Sequence, residues 1–399
     1  MSELQSKLKI CHVITRMNIG GAEENTLLTC MGLLQKGHDV TLVTGPSTGP
    51  EGNLLTISDT KGLKIVEIPD LIRNISPYKD WRAYHKLLDL FMKEQYDVVH
   101  THASKAGILG RFAAFDAKVP FITHTVHGQA FHAFQSWIKN RLFIFAERLA
   151  ANRSDKIYAV AQAMIDQCVA AKIAPAEKYK VVYSGMDLSA FMNATASPEL
   201  RDKLGIPEGA PIIGVIARMF PQKGYEDFLR VVPEIAGAFP EARFLLVGDG
   251  TMRSLIEHKV HEAGLDDRFI YTGMVPPQEV CRYLPFMSVL VHLSYHEGLP
   301  RTAVQALAAK VPVVAYPVDG TPEVVEDGVT GCLPALHNLR QVSGMVISLL
   351  RNAELRRTMG ETGQGRVKSR FDTQKMVDTL NNEYITAIEQ FKNTERKHG

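Results

Sequence analysis

Short apolar, β-branched runs recur along the first half of the chain: Ile10–Ile14, Asp39–Thr44, Leu63–Ile68, Asp97–Thr101, Pro120–Thr125, Lys156–Val160 and Tyr179–Tyr183. Most stay apolar over four or five residues instead of alternating. Strands read that way when helices cover both of their faces, which predicts a parallel sheet. Helical periodicity fills the gaps. Leu27, Leu28, Met31 and Leu34 share one face, as do Tyr84, Leu87, Leu88 and Phe91; each stripe suits docking on a sheet.

The alternation restarts after the polar stretch 193–209. New strands are predicted at Pro211–Ala217, Ala242–Val247, Phe269–Thr272, Val289–Leu293 and Val311–Ala315, with Phe228, Val231, Val232 and Ile235 marking the first helix between them. Two successive arrays of this kind predict an α/β chain of two doubly wound, Rossmann-like domains facing across a cleft. The expected division is residues 1–190 and 191–371, then a helix over about 372–392 and a charged, frayed tail over 393–399.

Composition narrows the class. A chain of 399 residues has room for two or three domains. Its 45 Lys+Arg against 43 Asp+Glu leave a net charge of +2, which argues against a dedicated nucleic-acid binder. Five scattered cysteines (Cys11, Cys30, Cys168, Cys281 and Cys332) form no CxxC pair and read as reduced thiols. No apolar run approaches the ~18 residues of a membrane span. The polar start lacks a signal-peptide core, so a cytoplasmic location is expected.

Ligands of open α/β sheets bind beyond the carboxyl ends of the strands, and the informative residues follow strands. Gly20 and Gly21 precede a helix, where they suit either a tight turn or close approach of an anion. His100, His102, His124, His127 and His132 crowd the ends of two strands. They read either as satisfied strand-end histidines or, for His127, as a neutral group contacting a polar substrate; no acidic partner stands in metal-ligand spacing. Arg218 and Lys223 flank a proline-containing loop and read either as a solvated surface pair or as two cations offered to a diphosphate. Gly248, in Gly248-Asp249-Gly250, leaves room for a ligand or a turn, and the backbone around Gly273 and Val275 is exposed enough to read a base edge or simply to turn. The fullest signal is Glu297-Gly298-Leu299-Pro300 before a helix containing Gln305; its amides and dipole favour an anion, and Glu297 reads either as an electrostatic cap of that helix or as a site residue.

These segments, with His124-Thr125-Val126-His127-Gly128, Tyr183-Ser184-Gly185-Met186-Asp187, and Gly320, Glu323 and Gly328 through Gly331, resemble in order and spacing the retaining glycosyltransferases of the family 4 type. The segment from His102 to Arg111 looks like that of bacterial surface-polysaccharide enzymes. The resemblance implies the GT-B architecture, with a C-terminal helix crossing back to the first domain. The first domain would take the acceptor and the second the nucleotide-sugar donor. It implies transfer of a sugar from a nucleotide diphosphate, UDP by default, to an acceptor hydroxyl in polysaccharide or glycolipid synthesis. Arg218 and Lys223 would hold the diphosphate. Glu297 would meet the donor sugar, with Gly298, Leu299 and Pro300 packed close. Gln305 would face the ribose, Val275 the base and His127 the reaction centre. No metal or other cofactor is expected.

One position departs from the family. Its motif is Glu, seven residues, Glu, and here the second Glu is Gln305. A Gln still accepts a hydrogen bond and adds two donors. Two rival functions follow, a nucleotide-sugar epimerase of the same architecture and a non-catalytic nucleotide-sugar-binding subunit. The helical pattern over 136–150 sets Trp137, Ile138, Phe143 and Phe145 beside Lys139, Arg141 and Arg148. It suits an anionic membrane surface, on the inner face for a cytoplasmic enzyme with a lipid-linked acceptor, or packing on the first sheet.

Overall fold

The computed structural model describes residues 7–49, 52–132 and 134–398. Residues up to Met186 together with those from Thr373 form one compact unit, and Asp187–Asp372 form another.

The first unit holds seven strands: β1 (Lys9–Ile14), β2 (Asp39–Thr44), β3 (Lys64–Glu67), β4 (Val98–His102), β5 (Phe121–Val126), β6 (Lys156–Ala159) and β7 (Tyr179–Val181). They pair in parallel in the order β3-β2-β1-β4-β5-β6-β7. β1, β2, β4 and β5 are buried along almost their whole length. That is why their sequences run apolar without alternation. The helix Gly21–Gln35 and the last helix, Thr373–His398, cover one face around Ile10, Leu27, Cys30, Leu33 and Tyr384. Gly32 is where these helices meet, since a Cβ there would lie 2.4 Å from Val377. The last helix continues to His398, past the point at Lys392 where its charged sequence suggests fraying.

The second unit repeats the plan with six strands: β8 (Ile212–Ile216), β9 (Arg243–Val247), β10 (Phe269–Tyr271), β11 (Val289–His292), β12 (Val313–Ala315) and β13 (Gly331–Cys332). All pair in parallel, in the order β10-β9-β8-β11-β12-β13. The two-residue β13 carries no periodicity that a sequence pattern could reveal. It pairs closely because Gly331 has no side chain; a Cβ would lie 2.1 Å from the Val313 carbonyl oxygen. No helix among the described residues is long and apolar enough to cross a membrane.

In both sheets the strand order reverses direction at one place, between β1 and β4 and between β8 and β11. Connections leave such a point in opposite directions, which opens a crevice at the carboxyl ends of the two strands. Arg218 and Lys223 follow β8, Glu297 to Gln305 follow β11, and Gly20 and Gly21 follow β1, whereas Gly248, Val275 and His127 follow the neighbouring strands β9, β10 and β5.

Candidate active site

In the second unit, β8 ends at Ile216 and the chain passes through Arg218 to a short turn, Pro221–Lys223. Gly224 follows with φ +71, and a Cβ on it would lie 1.9 Å from the Leu293 carbonyl oxygen. Only glycine fits, both for its left-handed backbone and for the approach. That approach presses the loop after β8 against the end of β11, and the Tyr295 amide donates to the Gln222 carbonyl at 2.9 Å. Lys223 is thereby brought to the loop after β11, where its Nζ lies 2.6 Å from Glu297 Oε1.

His292, the last residue of β11, puts Nε2 3.1 Å from the same oxygen, and Thr302 Oγ1 lies 3.3 Å from its Nδ1. Burial alone would raise the Glu297 carboxyl. The Lys223 charge and the contact with His292 outweigh it and hold the group far below the usual carboxylate range. Glu297 is therefore ionised at every physiological pH. Its loop is fixed from behind by Asp319, whose carboxylate accepts from the Glu297 amide at 2.7 Å and lies 2.8 Å from His296 Nδ1. Asp319 itself sits at φ 47, an uncommon region for a residue with a side chain.

Arg218 is exposed, and its guanidinium lies 5.2 Å from the Phe220 ring centre. Gly298 is partly accessible, Leu299 is buried, and Pro300 caps the helix Arg301–Ala308. Arg301, Thr302 and Gln305 form the half-buried face of that helix, while Ala303, Val304, Ala306, Leu307 and Ala308 are buried. Val275 lies half-buried in the loop after β10. Gly248 has a packing reason to be glycine: at φ +136, a Cβ would stand 2.2 Å from the Ala217 carbonyl oxygen. Its amide donates to Gly273 at 3.1 Å, which ties the loops after β9 and β10 together.

In the first unit, Gly20 and Gly21 open the helix Gly21–Gln35. Gly20 is extended, at φ −176, a conformation open to any residue. The histidines that crowd together in the sequence are sorted by the sheet. Period-two alternation puts His100 and His102 on one face, where His12 of β1 stands in register with His100. His124 is in register with Thr101 and faces the other way, with its Nδ1 3.0 Å from Thr101 Oγ1. His132 lies apart, its amide donating to Asn140 Oδ1 at 3.1 Å.

On the first face the imidazoles form a chain. His12 Nδ1 is 2.9 Å from His102 Nε2, and His102 Nδ1 is 3.0 Å from His127 Nε2, just past β5. His100 is held by Tyr384 Oη and, at 2.7 Å, by Thr125 Oγ1. Burial pushes the His12 pKa down to about 3 and drives His100 and His102 well below the ordinary value, so all three are neutral. Ala103, directly after His102, sits at φ 59 and ψ 161, a strained backbone for alanine. The Gly107 amide donates to its carbonyl at 2.7 Å and anchors it.

His12, His100 and His102 each have a nitrogen within 4.8 Å of the others. The His12 and His102 rings are stacked at 17°, and those of His100 and His102 at 27°. His12 Nδ1 and His102 Nε2 face each other at 2.9 Å and engage each other instead of a shared ion. Both nitrogens of His100 and of His102 also have protein partners.

The site residues named from sequence thus fall in two groups. Arg218, Lys223, Gly248, Val275, Glu297, Gly298, Leu299, Pro300 and Gln305 belong to the second unit; Gly20, Gly21 and His127 belong to the first. Sequence reasoning missed His12, His292 and Asp319 as members. His12 lies in the register of the sheet and not in a motif. The Asp319-Gly320 step after β12 was the one visible sign of its turn.

Comparison with known proteins bears on the family and the fold. Residues 196–366 match the family described as glycosyl transferases group 1, and residues 19–190 match Glycosyltransferase Family 4. An Escherichia coli UDP-Gal:alpha-D-GlcNAc-diphosphoundecaprenol alpha-1,3-galactosyltransferase is 27% identical over 392 residues, 97% of this chain and 99% of that protein. A 2-deoxystreptamine glucosyltransferase of Streptomyces kanamyceticus is 34% identical over 240 residues, 57% of this chain and 62% of its own length. The crystal structure of Anabaena HepE in complex with UDP-glucose superposes with a TM-score of 0.76 at 20% identity, covering 96% of this chain and 100% of that one. With a family 4 first half, a group 1 second half and a doubly wound sheet in each, the chain belongs to the glycosyltransferases of GT-B architecture.

Proposed function

We propose that the enzyme transfers a sugar from a UDP-sugar to a hydroxyl of a lipid-linked saccharide, with retention at the anomeric carbon and without a metal ion. The observation that carries the reading is the charged group at the β8/β11 switch point, where Lys223 and His292 meet on Glu297; Arg218 lies in the loop that follows β8. The Escherichia coli relative, alike over nearly its whole length, is named for a UDP-Gal donor and a diphosphoundecaprenol-linked acceptor.

Arg218 and Lys223 take the diphosphate and stabilise the charge that grows on it as it leaves. Glu297, kept ionised by Lys223 and His292, accepts from donor-sugar hydroxyls, with Gly298, Leu299 and Pro300 packed close. Gln305 bonds the ribose, backbone near Gly248 and Val275 frames the nucleotide, and the Gly20-Gly21 turn and His127 serve the reaction centre. The acceptor oxygen bonds to the anomeric carbon on the face the diphosphate leaves. The anomeric carbon–oxygen bond to phosphate breaks, and a phosphate oxygen takes the acceptor proton. Two cations balance the diphosphate, so the reaction survives EDTA.

A lipid-linked acceptor asks for a way onto a membrane. The helix Trp137–Ala151 buries only Ala150 and Ala151, and leaves Trp137, Ile138, Leu142, Phe145 and Leu149 exposed beside Lys139, Arg141 and Arg148. That surface fits the peripheral, anionic-membrane contact of an amphipathic helix. Phe143 is half-buried and turns away from this stripe.

Incubating the protein with a panel of nucleotide sugars and a diphosphate-lipid-linked acceptor, in EDTA, tests the proposal. An α-linked product from an α-linked donor is expected, read from the coupling of the new anomeric proton. A β-linked product would defeat retention, and loss of activity restored by Mn²⁺ would defeat metal independence. Donor turnover to free sugar without acceptor would favour the epimerase.

A further inference from the structure

The chain has two tryptophans, and both stand exposed in the first unit, Trp81 at 60% and Trp137 at 69%. An indole is a large apolar ring with one N–H donor, and its characteristic place is the boundary between lipid and water. Trp137 opens the amphipathic helix proposed to lie on a membrane. Trp81 belongs to a different helix, Pro77–Glu94.

Trp81 has company there. Tyr78, one turn earlier, is exposed, and Ile75, just ahead of the helix, is at 78% the most exposed large apolar side chain among the described residues. Ile75 is held in place from both sides. Lys105 Nζ donates to the Asn74 carbonyl and pairs with Asp80, and the Ser76 amide donates to Asp80 Oδ2 at 3.2 Å. Arg73, Lys79, Arg82 and Lys86 outnumber Asp70 and Asp80 over the same stretch, so the patch is basic as well as aromatic. Arg73, Lys79 and Arg82 are exposed.

The same design recurs on the helix Trp137–Ala151. In each case an arginine four residues after an exposed ring sets its guanidinium beside that ring, Arg82 at 5.7 Å from the Tyr78 centre and Arg141 at 4.9 Å from the Trp137 centre. A ring with a cation next to it matches a layer of anionic headgroups above acyl chains. Topology puts the two patches on one face and at one end. The helices Pro77–Glu94, Ser104–Asp116 and Trp137–Ala151 connect β3 to β4, β4 to β5 and β5 to β6, all leading the same way along the sheet. Right-handed crossovers then place all three on one face. Each helix starts at the carboxyl end of the sheet, where ligands bind, and Trp81 and Trp137 lie in the first two turns of theirs. The helix Ser104–Asp116 packs between the other two, which sets the patches two helix spacings apart, roughly 20 Å.

We infer that Ile75, Tyr78 and Trp81 form a second membrane footprint, which with the helix Trp137–Ala151 seats the first unit on an anionic bilayer, carboxyl ends of its strands toward the lipid. The inference rests on the reading of that helix as a membrane contact. A single amphipathic helix leaves the protein free to roll about the helix axis; a contact roughly 20 Å to the side stops the roll. Stable peripheral attachment also takes two signals. A second copy of the chain fits the patch less well, since a two-fold contact would bring one basic surface against its own image.

Full-length chains with one tryptophan test this: Trp137→Phe leaves Trp81, and Trp81→Phe leaves Trp137. Each is mixed with vesicles of phosphatidylglycerol and phosphatidylcholine in equal parts, and with pure phosphatidylcholine. With the anionic vesicles, Trp81 emission should shift to the blue and lose access to aqueous acrylamide; with the neutral ones it should stay as in buffer. Lys79→Gln should weaken vesicle co-sedimentation roughly fivefold. A response from Trp137 alone would overturn the second footprint and leave the membrane contact of its own helix standing. Silence of both tryptophans would overturn both. A blue shift of Trp81 that follows protein concentration without vesicles would give the patch to a second copy of the chain and overturn the proposal, and an equal response to neutral vesicles would overturn its anionic preference.

Discussion

Along β1 and at the end of β4 the first unit sets the neutral imidazoles of His12 and His102 in a buried chain that reaches His127. At the ends of β8 and β11 the second unit sets Lys223, Glu297 and His292 in a charged group that is partly open to solvent. The topology is shared; the chemistry is opposite. A neutral, buried chain costs little desolvation. A charged pair costs more to bury but carries full charges that a diphosphate or a sugar hydroxyl can use. One fold plan thus serves both tasks through the residues placed at its switch point, and the contrast makes the two sites separable by mutation and by pH.

The largest effect is expected at Lys223. Lys223→Ala removes a phosphate contact worth about 1.5–3 kcal/mol, or roughly 10- to 150-fold in kcat/KM. It also strips Glu297 of its strongest partner, so the variant should unfold at a lower temperature. Arg218→Ala should lose activity on the same scale while keeping its thermal midpoint, because the side chain is exposed. Steady-state kinetics and thermal unfolding on both variants check this. Wild-type kcat/KM in both would end the diphosphate assignment, and an unchanged midpoint in Lys223→Ala would show that the pair does not stabilise the fold.

Acid should separate the two sites next. His12 is held to about 3 when folded, against about 6.5 when unfolded. Below pH 6.5 the unfolded chain therefore binds one more proton at this residue. Stability falls as pH drops from there toward 3, at a slope approaching about 1.4 kcal/mol per pH unit. Glu297 is also depressed when folded, so its contribution is complete above about pH 4.5 and is lost only as pH falls further. Between pH 6.5 and 5, His12→Asn should lose less stability than the wild type in urea unfolding, whereas Glu297→Gln should parallel the wild type. Equal losses in all three would mean that the imidazole chain does not titrate as described.

The parts of this contrast differ in how legible they were from the sequence. Buried parallel strands announce themselves by unbroken apolar runs, so twelve of the strands could be placed within a residue or two; Gly331–Cys332 was too short to leave a pattern. Lys223, Glu297 and Gln305 stood out because each follows a strand. Their meeting did not: the Lys223–Glu297 pair depends on Gly224 pressing against Leu293, a contact 69 residues apart in the chain and invisible to any local pattern. The histidines posed the reverse problem. Five looked like one cluster by proximity in sequence, and strand alternation divides them, turning His124 away and admitting His12 from 90 residues before His102.

The smallest effect is expected at Gln305, and it sharpens the contrast by asking whether the second unit needs another carboxylate. Gln305 sits on the half-buried face of its helix, one turn after Arg301. Ribose hydroxyls both donate and accept. A Glu there could only accept, whereas the Gln does both, so either side chain satisfies at least one hydroxyl without exchanging a proton. Gln305→Glu should therefore stay within roughly tenfold of the wild type, since one substituted hydrogen bond is worth about 1 kcal/mol. Gln305→Ala should mainly raise the donor KM, because a ribose contact is alike in ground and transition states. Initial rates over a range of donor concentrations separate the outcomes. A rise in kcat of a hundredfold or more in Gln305→Glu would give the carboxylate a catalytic role. Glu297, fixed as an anion by Lys223 and His292, would then not be enough for the reaction, and the weakly active subunit would become the better description of this chain.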